Sequence, residues 1–354
     1  MASASLYLIA ANDEHGQNPP TVGKRTPILP YIDRSFYENE YNRIAKYDFL
    51  TGLLRCGYNV YDVKPEINDV SVSTRVVRIN RINPTLLVTF GYNAIGNGAT
   101  FNNTKGNFVF YGTRSRYVTS SKRLSQYIFD QTSLVPYVTG RSIAELTGVG
   151  VLESVNCPSV LSEAGFMTNF TEAKLMLDPD FVSNVSEATV RGVCQYLDVN
   201  YIDIDNSSAY PTLRRGSRGN KVLLLQYRLR YYGFDIDADG VYGAKTEGAV
   251  RTFQSYNSLV PDGIVGSLTW PKVLGLNPTS STIRRGSRAY SVVYAQRKLL
   301  SKLYPINSLD GIFGAETESA VRQFQSENDL SVDGIIGPRT WSKLSRINEG
   351  RPLV

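Results

Sequence analysis

The most chemically informative residue in this chain of 354 residues is its single histidine, His15. Imidazole is the usual protein base near neutral pH and the commonest nitrogen ligand for zinc. Any mechanism that needs two histidines in one polypeptide is therefore excluded. His15 lies in a loop-like stretch, residues 12–17, directly after a short apolar run at residues 6–11.

The cysteines point neither to a zinc knuckle nor to a disulfide framework. Cys56, Cys157 and Cys194 are odd in number and show no C-x-x-C spacing. We expect all three to be small buried side chains.

The first 205 residues alternate between predicted strands and predicted helices. Strand-like runs occupy residues 6–11, 58–63, 85–89, 107–111 and 159–162, and helical spacing occupies 38–56, 72–82, 120–134 and 181–197. This alternation is typical of an α/β sheet covered by helices on both faces. Active groups in such folds gather at the carboxyl ends of strands, which here are residues 13–15, residues 91–93 and Glu163.

The C-terminal part of the chain contains a tandem repeat. The segment Leu213–Arg218 returns as Ile283–Arg288, and Asp239–Glu247 returns as Asp310–Glu318. An F-Q pair and a D-G-x-x-G-x-x-T-W motif follow in the same order in both copies. The D-G-x-x-G units predict turns and the apolar spacing between them predicts helices, so each copy should be a compact three-helix unit.

These repeated motifs resemble the peptidoglycan-binding domain of bacterial and phage wall hydrolases. The resemblance implies binding to the glycan or the stem peptides of murein, although the motifs themselves are expected to be architectural. The two tryptophans, Trp270 and Trp341, stand at equivalent positions, and we expect each to pack in the core of its copy.

The order of elements in the N-terminal part is similar to that of zinc-dependent N-acetylmuramoyl-L-alanine amidases. In that family the first strand runs into a G-H-G turn that supplies a zinc ligand, and the matching turn here is E-H-G, with His15 at its centre. A glutamate that opens the first long helix is the second ligand, which implies Glu38, with Glu40 as the alternative.

The same resemblance implies a catalytic base. The family's catalytic glutamate lies in a P-x-V-L-x-E-x-G-F-x-x-N strand, and that pattern runs here from Pro158 to Asn169. Glu163 is accordingly expected to act as the general base.

One ligand of the resembled pattern is missing. Where the family has S-I-H-x-N-A, this chain reads T-F-G-Y-N-A, so Gly91 stands in place of the histidine. A catalytic zinc ion usually has three protein ligands, whereas His15 and Glu38 supply two. Water or a weak donor such as Tyr92 or Asn93 would have to complete the site, and we expect weak zinc binding.

We therefore expect an α/β amidase-type domain with a twisted, helix-flanked sheet at residues 1–205. Two small three-helix peptidoglycan-binding domains should follow at residues 206–277 and 278–354. The expected function is wall binding by a weak or inactive amidase that serves as a structural component, with zinc as a poorly held cofactor. The alternative is an active, endolysin-type amidase that hydrolyses the amide between N-acetylmuramic acid and the first alanine of murein.

Charge and termini suggest where the protein acts. Residues 1–205 hold 18 Lys and Arg against 20 Asp and Glu, whereas residues 206–354 hold 20 against 12. The basic part could bind anionic wall polymers or serve solubility alone, and no nucleic-acid partner is expected. The first residues show neither the positive region nor the apolar length of a signal peptide, and we expect neither a signal peptide nor a membrane span. We expect synthesis in the cytoplasm and action at the wall after lysis, or within a phage particle or spore, with possible structural partners there.

Overall fold

The computed structural model describes residues 3–16, 25–96, 98–204, 210–276, 278–347 and 349–352. The chain forms two compact units: one comprises Met1–Leu29, Arg34–Met176 and Asp180–Ile202, and the other comprises Pro30–Asp33, Leu177–Pro179 and Asp203–Val354. The expected domain boundaries at residues 205–206 and 277, and the middle of the expected linker at residues 200–212, fall outside the described residues.

The first unit is built on a six-stranded sheet. Its strands are β1 (Leu8–Asp13), β2 (Asn59–Asp62), β3 (Leu86–Asn93), β4 (Asn107–Gly112), β5 (Gly140–Leu146) and β6 (Ser159–Phe166), in the spatial order β2-β1-β3-β6-β4-β5. Neighbouring strands are parallel except β4 and β6, which are antiparallel. The α/β expectation is confirmed.

The helices around this sheet are α1 (Glu38–Arg55), α2 (Val72–Ile82), α3 (Val118–Thr132), α4 (Gly150–Glu153), α5 (Phe170–Leu175) and α6 (Pro179–Tyr196). Successive side chains of a strand point to opposite faces of the sheet. On β3, Leu87 packs in a buried cluster with Ile79 of α2 and Val151 of α4, whereas Phe90 packs against Phe49 of α1. Helices therefore cover both faces, as the apolar strand pattern predicts.

Among the strands and α-helices described in this unit, the sequence pattern misses β5, α4 and α5. Strand β5 lies at the edge of the sheet and its residues are exposed or half-buried, so no apolar run marks it. Helices α4 and α5 are only 4 and 6 residues long, too short to show a helical period. The antiparallel direction of β4 is a tertiary property with no local signature.

The second unit contains two similar groups of three helices, as expected. They are α7 (Asn220–Tyr231), α8 (Ala244–Tyr256) and α9 (Thr269–Val273), then α10 (Tyr290–Ser301), α11 (Ala315–Glu327) and α12 (Pro338–Leu344). Trp270 and Trp341 are buried in their respective copies, and each indole N–H donates to a backbone carbonyl, of Pro211 and of Ser281. Their expected role as core residues is confirmed.

A buried glutamine holds each D-G-x-x-G-x-x-T loop of the repeats. Gln325 donates to Asp333 Oδ1 at 2.8 Å and to the carbonyl of Ile335 at 2.9 Å, and its own carbonyl accepts from the Gly334 N–H at 2.9 Å. Equivalent bonds are made by three further glutamines, Gln226, Gln254 and Gln296. We call each of these glutamines, together with the loop that it holds, a glutamine node. The repeated motifs thus have a structural role.

Each cysteine is buried, as expected. Across the described ranges, no helix has the length and apolar character needed to cross a membrane.

The Gln325→Leu substitution should destabilise the second copy by about 2–4 kcal/mol, because it leaves the Gly334 N–H and the Ile335 carbonyl buried without this partner. The measurement is denaturant unfolding combined with hydrogen exchange over residues 288–344. Gln323→Leu, an exposed position on the same helix, is the control and should change stability by less than about 0.5 kcal/mol. Equal effects of the two substitutions would contradict the structural role of the node.

Candidate metal centre

The polar groups at the carboxyl ends of three neighbouring strands lie in one row. Strand β1 ends at Asp13, and the next residue, Glu14, donates its backbone N–H to the Phe90 carbonyl of β3 at 3.0 Å. Gly91 of β3 is in turn paired in register with Glu163 of β6. The register therefore places residues 14, 91 and 163 side by side at this edge of the sheet.

Glu38 approaches this row from the start of α1. Its Oε2 lies 3.5 Å from His15 Nε2, and the Glu38 side chain is almost fully buried. Its Oε1 accepts from the Tyr92 N–H at 3.0 Å and from Asn42 Nδ2 at 3.2 Å. These two bonds fix the carboxylate so that the other oxygen faces the imidazole.

Glu14 is the member of the cluster that sequence reasoning missed. The potential ligand atoms of Glu14, His15 and Glu38 all lie within 4.8 Å of one another. The available signal was the departure from the G-H-G turn, because a glutamate stands here where the resembled pattern has glycine.

The space beside Gly91 is occupied by carboxylate oxygens. A Cβ atom built on Gly91 would lie 3.1 Å from Glu14 Oε2, 3.1 Å from Leu161 Cδ1 and 3.3 Å from Glu163 Oε1. Most real Cβ contacts are longer than these, so a side chain at this position would compete with the Glu14 carboxylate for the same volume. Glu163, which is 9% exposed, completes the edge of the cluster.

Two other residues that the sequence offered as ligands, Tyr92 and Glu40, are engaged elsewhere. The hydroxyl of Tyr92 donates to the Glu172 carbonyl at 2.8 Å, and its ring packs on Tyr41 across the opposite face of β3. Glu40 pairs with Arg34 at 2.7 Å and accepts from the Tyr37 N–H. The expectation that Tyr92 could replace the missing ligand is therefore wrong, because its hydroxyl is bonded on the other face of β3. Of the two glutamates, Glu38 and not Glu40 faces His15.

The turn that carries His15 has a steric requirement. His15 has a positive φ of 60°, in the left-handed region. A Cβ on the next residue, Gly16, would lie 2.2 Å from the backbone nitrogen of Asp69. The backbone of residue 69 therefore leaves room only for glycine, and this close approach holds the histidine over the end of β1.

A buried charge cluster lies on the other side of β1. Lys46 of α1 contacts Asp13 Oδ1 at 2.6 Å and Asp62 Oδ1 at 2.7 Å, and Lys64 Nζ lies 3.0 Å from Asp13 Oδ2. Burial alone would raise the pKa of Asp13, but Lys46, Lys64 and Arg43 outweigh it and hold that pKa below its ordinary value. Burial lowers the pKa of Lys64 to about 8. The cluster ties α1, and with it Glu38, to the end of β1.

The donor set fits a divalent cation of the zinc type. Imidazole nitrogen and carboxylate oxygen are both common zinc ligands in proteins. The ligand atoms of Glu14 and Glu38 lie within 4.8 Å of each other, and Glu14 Oε2 and Glu163 Oε1 both lie within 3.3 Å of the Cβ position of Gly91, so this edge offers several carboxylate oxygens to a cation.

A buried carboxyl supports the far end of β6. Glu172 accepts the N–H of Phe166 at 2.7 Å and that of Gly106 at 2.9 Å. Burial raises the pKa of Glu172 to about 7, although those two N–H donors act in the opposite direction. A Cβ on Gly165, two residues after Glu163, would lie 2.8 Å from the Tyr92 hydroxyl and 3.0 Å from Glu172 Oε2, so this packing needs a glycine there.

The raised pKa of Glu172 predicts a specific pH dependence of stability. The folded state holds this proton more tightly than the unfolded state, so the contribution is complete below about pH 4.5 and is lost as the pH rises to about 7. The loss should be at most about 3 kcal/mol. Urea unfolding between these pH values should show a steeper decline for the wild type than for Glu172→Gln. Equal slopes for the two proteins would contradict the prediction.

Both parts of the chain match models of known protein families. A family model described as N-acetylmuramoyl-L-alanine amidase matches residues 15–195, and one described as a putative peptidoglycan binding domain matches residues 218–272 and 288–344. A probable N-acetylmuramoyl-L-alanine amidase of Bacillus licheniformis is 31% identical over 164 residues, which are 39% of this chain and 46% of that protein.

Two further relatives carry the same amidase name. The N-acetylmuramoyl-L-alanine amidase CwlL of Bacillus licheniformis is 30% identical over 165 residues, covering 38% of this chain and 45% of that protein. The crystal structure of an N-acetylmuramoyl-L-alanine amidase from Clostridium difficile 630 aligns with a TM-score of 0.47 and 24% identity over 56% of this chain and 98% of that one. The chain spans less than half the length of these two curated relatives.

Proposed function

Because this chain belongs to the N-acetylmuramoyl-L-alanine amidase family, we propose that it is an active, wall-directed amidase. Its substrate would be the amide that joins the lactyl carboxyl of N-acetylmuramic acid to the first alanine of the stem peptide. The observation that carries this proposal is the register of β3 and β6, which sets Glu163 beside the cluster of Glu14, His15 and Glu38.

His15 and Glu38 are the residues that would hold a zinc ion. When bound, such an ion supplies Lewis-acid polarisation of the amide carbonyl and increases the acidity of water. The bonds from Tyr92 and Asn42 to Glu38 keep its second oxygen turned toward His15. The imidazole is about one quarter exposed, so the cluster is open to substrate from solvent.

Glu163 would move the proton. Its carboxylate takes a proton from the attacking water while the water oxygen bonds to the carbonyl carbon, and it then gives that proton to the nitrogen as the carbon–nitrogen bond breaks. The Glu163 side chain is only 9% exposed, so bulk water screens its carboxylate weakly. Its electrostatic interaction with the attacking water would be stronger for that reason.

The peptidoglycan-binding domains would hold the catalytic domain at its substrate. Attachment through a second site converts encounter with murein into a local event at a high effective concentration. The four glutamine nodes keep the repeat loops in fixed conformations.

The second candidate is a wall-binding protein without catalysis. The observation in its favour is Gly91, which removes the imidazole that the resembled pattern has at this position. The convergence of Glu14 on the same space favours the active enzyme over this candidate.

The Glu163→Gln substitution should lower the release of muramoyl-linked alanine amino groups from purified sacculi by about 10²–10⁴-fold, because the general base is lost. Sedimentation with sacculi should be unchanged. Glu145→Gln, at an exposed position on the edge strand β5, is the matched control and should keep full activity. If the wild type sediments with sacculi but releases no amino groups at any zinc concentration, the non-catalytic candidate is correct.

A further inference from the structure

We propose that Glu14 is the third protein ligand of the metal centre and takes the place of the imidazole that Gly91 lacks. The inference deepens the proposed function and rests on it for the class of metal ion, a divalent cation of the zinc type. It converts an incomplete pair of ligands into a set of one imidazole and two carboxylates.

The first support is distance. Two ligands of a tetrahedral zinc ion, each about 2.0–2.1 Å from the metal, lie about 3.4 Å apart. His15 Nε2 and Glu38 Oε2 are separated by 3.5 Å, and the ligand atoms of Glu14 fall within 4.8 Å of both residues' ligand atoms. The long side chain of a glutamate can cover the remaining distance by a change of rotamer.

The second support is the space that the carboxylate occupies. Glu14 Oε2 lies 3.1 Å from the point where a Cβ on residue 91 would stand. Any side chain at position 91 would occupy this volume. The Glu14 carboxylate, which extends from the end of the neighbouring strand β1, fills it instead. Glu14 and Gly91 are next to each other across the β1 and β3 pairing.

The third support is that the two departures from the resembled pattern are complementary. Position 14 has gained a side chain where the pattern has glycine, and position 91 has lost one where the pattern has histidine. Their combined effect leaves both the packed volume and the number of donor atoms nearly unchanged. Either departure alone would crowd the site or leave it short of a ligand.

A glutamate ligand in place of a histidine changes the charge of the metal centre. Replacing a neutral imidazole by a carboxylate adds one negative charge to the centre and makes the donor set harder. Hard oxygen donors favour cations such as Mn²⁺ more than imidazole does. The ratio of manganese affinity to zinc affinity should therefore be higher in the wild type than in a variant with two histidines.

The test uses the full-length chain and measures metal binding without hydrolysis. Zinc affinity is obtained by competition with a chromogenic chelator, stoichiometry by elemental analysis, and coordination from the visible spectrum of the Co²⁺ form. The variants are Glu14→Gln, Gly91→His and the double exchange Glu14→Gly with Gly91→His. Glu145→Gln is the control, and thermal unfolding of each metal-free variant checks that it is folded.

We expect one zinc ion per wild-type chain and a loss of at least about 10–100-fold in affinity for Glu14→Gln. Gly91→His alone should not improve binding, because the new side chain meets the Glu14 carboxylate and Leu161. The double exchange should restore affinity to within about 10-fold of the wild type, with a Co²⁺ spectrum that reports the added nitrogen ligand.

Wild-type affinity in Glu14→Gln, or no zinc binding by the wild type, would overturn the assignment. Hydrolysis of sacculi is measured separately on the same samples. Zinc binding that depends on Glu14 without any release of amino groups would support the ligand assignment and refute the proposed amidase activity, so the two failures are distinguishable.

Discussion

The parallel pairing of β1 with β3 and of β3 with β6 is the constraint on which the functional part of this molecule depends. It brings the ends of three strands to one edge and leaves a single small volume for the side chains of residues 14, 91 and 163. Because that volume is shared, the residue at one position limits what the others can be. A glycine at position 91 is therefore part of how Glu14 is accommodated.

Helix α1 links this edge to the interior. Its first residue, Glu38, faces His15, and two turns later Lys46 is buried between Asp13 and Asp62. Removing one partner from a buried, paired charge costs several kcal/mol, so the helix cannot rotate or slide without a large penalty. The same charges that anchor the helix thus fix the position of a candidate metal ligand relative to the end of β1.

The peptidoglycan-binding repeats follow a different principle. The residues of their most visible motifs contact other parts of the same repeat. Each D-G-x-x-G loop is held by a buried glutamine, and each tryptophan is packed in a core. A motif that is easy to see in a sequence is in this case a requirement of folding.

The sequence by itself determined the α/β class, most strands and helices, the three-helix repeats and the candidate roles of His15, Glu38 and Glu163. The elements follow from local periodicity and the repeats from motifs of fixed spacing, whereas the three candidate roles are implied by the resemblance to the amidase family. Strand β5, the antiparallel pairing of β4 with β6 and the position of Glu14 beside His15 and Glu38 were decided only by the tertiary structure. Glu14 and Gly91 are 77 positions apart, and only the register between β1 and β3 makes them neighbours. The Glu14 carboxylate then lies where a side chain at position 91 would have to go. The spacing of residues along the chain does not show which side chains compete for one volume, because that depends on how the strands pack.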